Sequence, residues 1–172
     1  RDDEIVFTSG GSEANNLALK GVMFRHPPAD AHLVISAFEH PAILEPARFL
    51  ERMGYGLTLL PVNSSGLVEP QQVAAAIEPN TRLVSVMHAN NEIGTIQPTV
   101  EWHRKAKSAN ALYLCDAVQA YGRMEVTGAD MVAISAHKFH GPKGVGALWL
   151  RKGLDIAEVQ IGRAHVGTPV TI

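Results

Sequence analysis

The chain has 172 residues, of which 46% are hydrophobic and 19% charged, with a formal net charge of −2. That balance fits one ordinary globular domain with a real core and leaves no nucleic-acid or membrane-surface footprint. No apolar run reaches bilayer-spanning length, and the opening Arg1-Asp2-Asp3-Glu4 is no signal segment. The single cysteine, Cys115, excludes an internal disulfide framework and favours a reducing compartment, with the cytoplasm as default.

In chain order, short runs rich in Val, Ile and Leu alternate with longer helical segments. A strand over Glu4–Phe7 leads to a helix over Glu13–Met23. A strand over Leu33–Ser36 precedes a helix over Ala42–Met53, and one over Thr58–Pro61 precedes a helix over Pro70–Ile77. Then come a strand over Arg82–Met87, a helix over Val100–Ala109, and strands over Leu112–Cys115, Met131–Ile134 and Ala147–Leu150. Near-continuous apolar strands separated by helices predict an α/β fold, a mostly parallel sheet with helices on both faces. The last strand follows Gly141-Pro142-Lys143-Gly144, a turn able to reverse it into an antiparallel neighbour.

The segments after the strands carry the chemistry. Phe7 runs into Thr8-Ser9-Gly10-Gly11-Ser12-Glu13, Ser36 is followed by Glu39-His40, and Met87 by His88-Ala89-Asn90-Asn91-Glu92. Cys115 precedes Asp116-Ala117-Val118-Gln119, and Ile134 precedes Ser135-Ala136-His137-Lys138. Ligands of open α/β sheets sit outside the carboxyl ends of the strands, so these clusters are expected to converge on one pocket.

The Gly10-Gly11-Ser12 loop, between strand and helix, suits a phosphate: glycines allow close backbone approach and a helix N-terminus offers free N–H groups. It equally suits a plain helix start with Ser12 as N-cap. It is neither GxGxxG nor a Walker loop, which disfavours dinucleotides and nucleoside triphosphates. Asp116 could keep a heterocycle nitrogen protonated, as an electron-sink cofactor requires, or simply cap the next turn. Lys138, beside a hydroxyl and an imidazole, is a candidate nucleophile for a carbonyl, whereas Lys143 reads as a surface lysine. His26, His32, His103 and His140 read as ordinary polar positions. His137 and His140 are the closest histidine pair, but without HExxH, CxxC or a nearby carboxylate they build no metal site.

Taken together, Phe7-Thr-Ser-Gly-Gly-Ser-Glu-Ala-Asn-Asn16, Glu39-His-Pro-Ala42, Met87-His-Ala-Asn-Asn-Glu-Ile-Gly-Thr-Ile-Gln-Pro98, Asp116-Ala-Val-Gln-Ala120, Ser135-Ala-His-Lys138 and Gly141-Pro-Lys-Gly-Val-Gly146 resemble the NifS/IscS branch of cysteine desulfurases. This branch lies within the class V aminotransferase group of pyridoxal-phosphate enzymes. The resemblance implies a fold-type I large domain over residues 1–160. It implies Lys138 as the Schiff-base lysine that later moves the Cα proton, with His40 stacked on the cofactor ring. It also implies Asp116 at the ring nitrogen, Gln119 at the phenolic oxygen and Asn91 at the cofactor–substrate face. Gly11, Ser12, Ser135 and His137 would hold the phosphate. The implied reaction turns L-cysteine into L-alanine and leaves persulfide sulfur for iron–sulfur cluster assembly. Implied partners are a sulfur acceptor or scaffold protein and a second copy in a homodimer.

The chain departs from the family pattern in three respects. Family chains are more than twice as long and carry, in a C-terminal domain, a persulfide-bearing cysteine and a substrate-carboxylate arginine that do not occur here. Cys115 is not that nucleophile; it reads as a buried structural thiol. The Gln119–Ser135 link is shorter than in many relatives. Finally, Gln160-Ile-Gly-Arg-Ala-His-Val166 reads as a translated sequencing-adapter oligonucleotide, so residues 161–172 are expected to be a read-through tail on a truncated gene. Alternatives to a desulfurase core are another class V enzyme, a cysteine lyase or aminotransferase, and a catalytically inert fragment.

Overall fold

The structure, a computed structural model, describes residues 4–159. Its strands are β1 (Ile5–Thr8), β2 (His32–Ser36), β3 (Gly56–Leu60), β4 (Thr81–Ser85), β5 (Leu112–Asp116), β6 (Met131–Ser135) and β7 (Gly146–Leu150). The helices are α1 (Gly11–Met23), α2 (Pro41–Arg52), α3 (Pro70–Ala76) and α4 (Thr99–Ser108). The strands form one sheet in the order β1-β7-β6-β5-β4-β2-β3. All neighbours are parallel except that β7 runs antiparallel to both β6 and β1.

Strand alternation divides the core between the two faces. Leu33, Ile35, Leu83 and Leu114 face the layer built by Ala18, Leu19, Val22 and Met23 of α1 and Ile43, Ala47 and Leu50 of α2. Val34, Val84, Tyr113 and Cys115 face the opposite layer, closed by Val73 of α3 and Trp102 and Ala106 of α4. Apolar residues of α1 recur three and four apart, which gives one helix a continuous buried stripe.

The mostly parallel α/β sheet predicted from sequence is therefore the observed fold, with small corrections. β4 ends at Ser85 rather than Met87, because the Met87 N–H leaves the ladder and donates to the Glu39 carboxyl group. α1 begins at Gly11, which places Ser12 inside the first turn; Gly10, not Ser12, is the N-cap, and no side chain caps the helix. His32 is no ordinary polar position: it is buried, with Nδ1 and Nε2 hydrogen-bonded to Thr81 and Thr58 at 2.8 and 2.9 Å. His103 stacks near Tyr113 and reaches Asp130 at 3.5 Å. No helix among the described residues is long and apolar enough to cross a membrane. The expected tail over 161–172 lies outside the described residues.

Candidate functional site

The carboxyl ends of β1, β2, β4, β5 and β6 open on one cavity of about 340 Å³, within the roughly 300–1,000 Å³ usual for small-molecule sites. Gly11, Ser12, His40 and Asn91 line it, as do Asp116, Gln119, Ser135, His137 and Lys138. The nine residues expected from the resemblance to form the site thus line the same cavity. A second cavity, also about 340 Å³, shares Gly11, Ser12, Ser135 and His137 and brings exposed Lys143 to its edge.

Asp116 ends β5 and is only 4% exposed. Its Oδ1 accepts the Val118 N–H at 2.9 Å and its Oδ2 accepts the Asn15 Nδ2 amide at 2.7 Å. Burial raises its pKa from the ordinary value, while those two donors and the nearby His40 pull the other way. Asn15 is buried as well, and its Oδ1 has no partner in the structure. A desolvated carboxylate held in one orientation is the acceptor a cationic heterocycle nitrogen would need.

Around the Gly10-Gly11-Ser12 loop, backbone packing is tight. A Cβ on Gly146 would lie 2.6 Å from the Gly10 backbone, and one on Gly11 would lie 2.6 Å from Val118 Cγ2. Only glycine lets β7 and the β5 turn approach this closely. The uncapped first turn of α1 leaves its N–H groups to an anion, and Ser135 Oγ lies 2.9 Å from His137 Nδ1 on the facing strand end.

Lys138 sits on a single 3₁₀ turn, Ala136–Phe139, that ends at His140 in the left-handed region with φ 69°. Its carbonyl accepts Arg123 Nη2 at 3.0 Å, and Phe139 packs edge-on to Tyr121 with ring centroids 5.0 Å apart. Arg123 Nη1 also donates to the Gln119 carbonyl at 3.1 Å, so one guanidinium ties the Gln119 and Lys138 backbones together. His40 caps α2: its Nδ1 accepts the Ala42 N–H at 3.0 Å, which leaves the ring proton on Nε2. Asn91 is exposed, on a turn built by Asn90, whose Oδ1 accepts the N–H groups of Glu92 and Ile93.

Sequence reasoning gave no role to Asn15, Met87 or Val118, which also line the cavity. Asn15 carried a readable signal, since it lies one helical turn beyond Gly11 and Ser12 and shares their face. Val118 and Met87 carried none. Cys115 is fully buried and its thiol is pushed well up by burial and by Asp116 and Glu39.

A family model described as aminotransferase class-V matches residues 1–167. The chain belongs to this family. The match runs past Gln160, into the residues expected to be a read-through tail. Among curated class-V relatives, a cysteine desulfurase IscS from Dictyoglomus turgidum is 49% identical over 160 residues, which is 91% of this chain and 41% of that protein. One from Methanosarcina thermophila is 42% identical over 168 residues, 95% of this chain and 42% of that protein. Among solved structures, SspA in complex with cysteine superposes with a TM-score of 0.91 at 38% identity, covering 95% of this chain and 49% of that one. DndA from Streptomyces lividans superposes with a TM-score of 0.88 at 36% identity, covering 95% and 49%. The chain thus spans about two-fifths of the length of the curated relatives it matches.

Proposed function

We propose that this chain is the cofactor-binding core of a pyridoxal-phosphate-dependent cysteine desulfurase. The observation that carries the reading is the cavity itself, where a buried carboxylate, an uncapped helix start with two hydroxyls, and a lysine amine meet. That donor set fits pyridoxal phosphate, which when bound would supply an electron sink for bond cleavage at an amino acid's Cα. Lys138 would hold the cofactor covalently and move the substrate Cα proton. Asp116 would keep a proton on the ring nitrogen, and Gln119 would hydrogen-bond the phenolic oxygen. The first-turn N–H groups at Gly11 and Ser12, with Ser135 and His137, would hold the phosphate. His40, its tautomer set by Ala42, would cover the ring face, and Asn91 would stand at the substrate side.

Similarity to the IscS proteins and to SspA, solved with cysteine, supports L-cysteine as the substrate of the whole protein. Alanine would be the product, with persulfide sulfur passed to an acceptor or iron–sulfur scaffold. A cytoplasmic homodimer is the proposed setting. Residues 161–172 are proposed to be foreign to the gene.

The protein encoded by the complete gene is the material for the test. Incubated with pyridoxal phosphate, L-cysteine and a thiol reductant, it is expected to form alanine and sulfide in equal amounts, and a Lys138→Ala variant is not. Pyruvate and ammonia in place of alanine would assign a lyase instead.

A further inference from the structure

We propose that Glu39 is a positioning residue that works as an uncharged carboxylic acid, locking the turn that carries His40 to the segment that carries Met87 and Asn91. β2 and β4 are paired as far as Ile35–Ser85, and there the ladder stops. Glu39 takes over beyond it. Its Oε1 accepts the Ser36 hydroxyl at 2.7 Å, at the end of β2, and the Met87 N–H at 2.7 Å, just past β4. Next to it, the Phe38 carbonyl accepts Asn90 Nδ2 at 3.2 Å. Two adjacent residues of one turn therefore hold two residues of the other. His40, directly after Glu39, and Met87 and Asn91, on the segment held by the same links, line the same cavity.

The lock is built for a neutral acid. Glu39 is 4% exposed, and its Oε2 is buried without any partner. Among the described residues it makes no ion pair. The titratable groups around it are Tyr113, Cys115 and Asp116 on β5, and His40 on its own turn. A carboxylate with one bare oxygen beside a second buried carboxylate has nothing to offset its charge. Accordingly burial first, then Asp116, push its pKa up to about 8 against the pull of Ser36 and Met87. Raised above the unfolded value, this group contributes stability that is full below about 4.5 and lost as pH climbs to about 8. Ionisation at Oε2 then draws water into the turn and loosens His40.

The functional meaning of the lock rests on the cofactor reading above, but the lock itself is a property of the chain without cofactor. The test therefore begins there. In the ¹⁵N-labelled chain, the His40 ring signals, assigned with a His40→Gln variant, are expected to show an inflection near pH 8 that Glu39→Gln abolishes. The melting temperature of Glu39→Gln is expected to exceed that of wild type by a gap that widens from pH 5 to 8.5 and is constant above. With pyridoxal phosphate at pH 7, Glu39→Gln should bind as wild type does, whereas Glu39→Ala, having lost the acceptor, should bind about tenfold more weakly. Where Glu39→Ala fails to fold, the Gln variant alone decides. An inflection shared by wild type and Glu39→Gln, or a pH-independent melting gap, would overturn the proposal. Absence of cofactor binding in every variant, with the inflection and the widening gap present, supports the lock and defeats the cofactor reading alone.

Discussion

Replacing Asp116 with Asn separates what the carboxylate does for the fold from what it does for a ligand. The side chain keeps its shape, and its oxygen still accepts the Val118 N–H. Its new amide would face the Asn15 amide that now donates to Oδ2 at 2.7 Å. Asn15 can resolve that conflict by rotating its amide, because its buried Oδ1 has no partner to lose. One neutral hydrogen bond then replaces one charge-assisted bond, a change of about 1 kcal/mol. Against this, Asp116 is desolvated and its pKa is raised, so its charge lowers stability as pH rises through that pKa; the neutral amide removes the penalty. The melting temperature of Asp116→Asn without cofactor, by circular dichroism at pH 7, is therefore expected within about 4 °C of wild type. Affinity for pyridoxal phosphate, by fluorescence titration, is expected to fall about 10- to 150-fold, the worth of about 1.5–3 kcal/mol for a bond to a charged partner. In an Asn15→Leu background the carboxylate has already lost the donor to Oδ2 and no amide faces it, so Asp116→Asn is expected to be neutral or stabilising there. Unchanged cofactor affinity in Asp116→Asn, or a loss of about 3 kcal/mol in the single variant, would refute the reasoning.

Further expectations concern the same cavity. Gly146→Ala pushes a methyl against the Gly10 backbone, 2.6 Å away, and is expected to cost about 1–3 kcal/mol while displacing the phosphate loop; thermal melts and phosphate-competition binding read both effects. Ser135→Ala removes the hydroxyl 2.9 Å from His137 Nδ1 and should weaken cofactor binding about tenfold, measured by equilibrium dialysis, with little change in melting temperature. The 172-residue polypeptide, given pyridoxal phosphate and L-cysteine, is expected to release no alanine above a Lys138→Ala control, because its one thiol, Cys115, is buried and held protonated; alanine well above that control would bring Cys115 into the chemistry. Sequencing the source gene beyond the codon for Gln160 is expected to give a continuation other than Ile161–Ile172, and the same twelve residues would end the tail proposal.

Much of this was legible because parallel strands buried on both faces read as apolar runs, and each run ends in the polar residues that the pocket collects. Periodicity placed α1 and α2 within two residues of their observed ends. The order of the strands was not legible, since local composition does not encode which run pairs with which. The Asn15–Asp116 bond joins residues 101 positions apart, so only the fold reveals it. Glu39 was visible as a polar residue after a strand, yet its acceptance of the Met87 N–H depends on β2 lying beside β4. His32 misled for the same reason: its polarity is satisfied by two threonines, Thr58 and Thr81, that neighbouring strands bring to it.

Whether Lys138 is the amine that holds pyridoxal phosphate can be read from one labelling experiment. The purified protein is incubated with the cofactor, reduced with sodium borohydride, digested and mapped by mass spectrometry. The expected result is a borohydride-sensitive absorbance band and a reduced label on the peptide bearing Lys138, both lost in Lys138→Ala. A label on Lys143, exposed at the edge of the neighbouring cavity, or on Lys152 would contradict the assignment and the reading built on it.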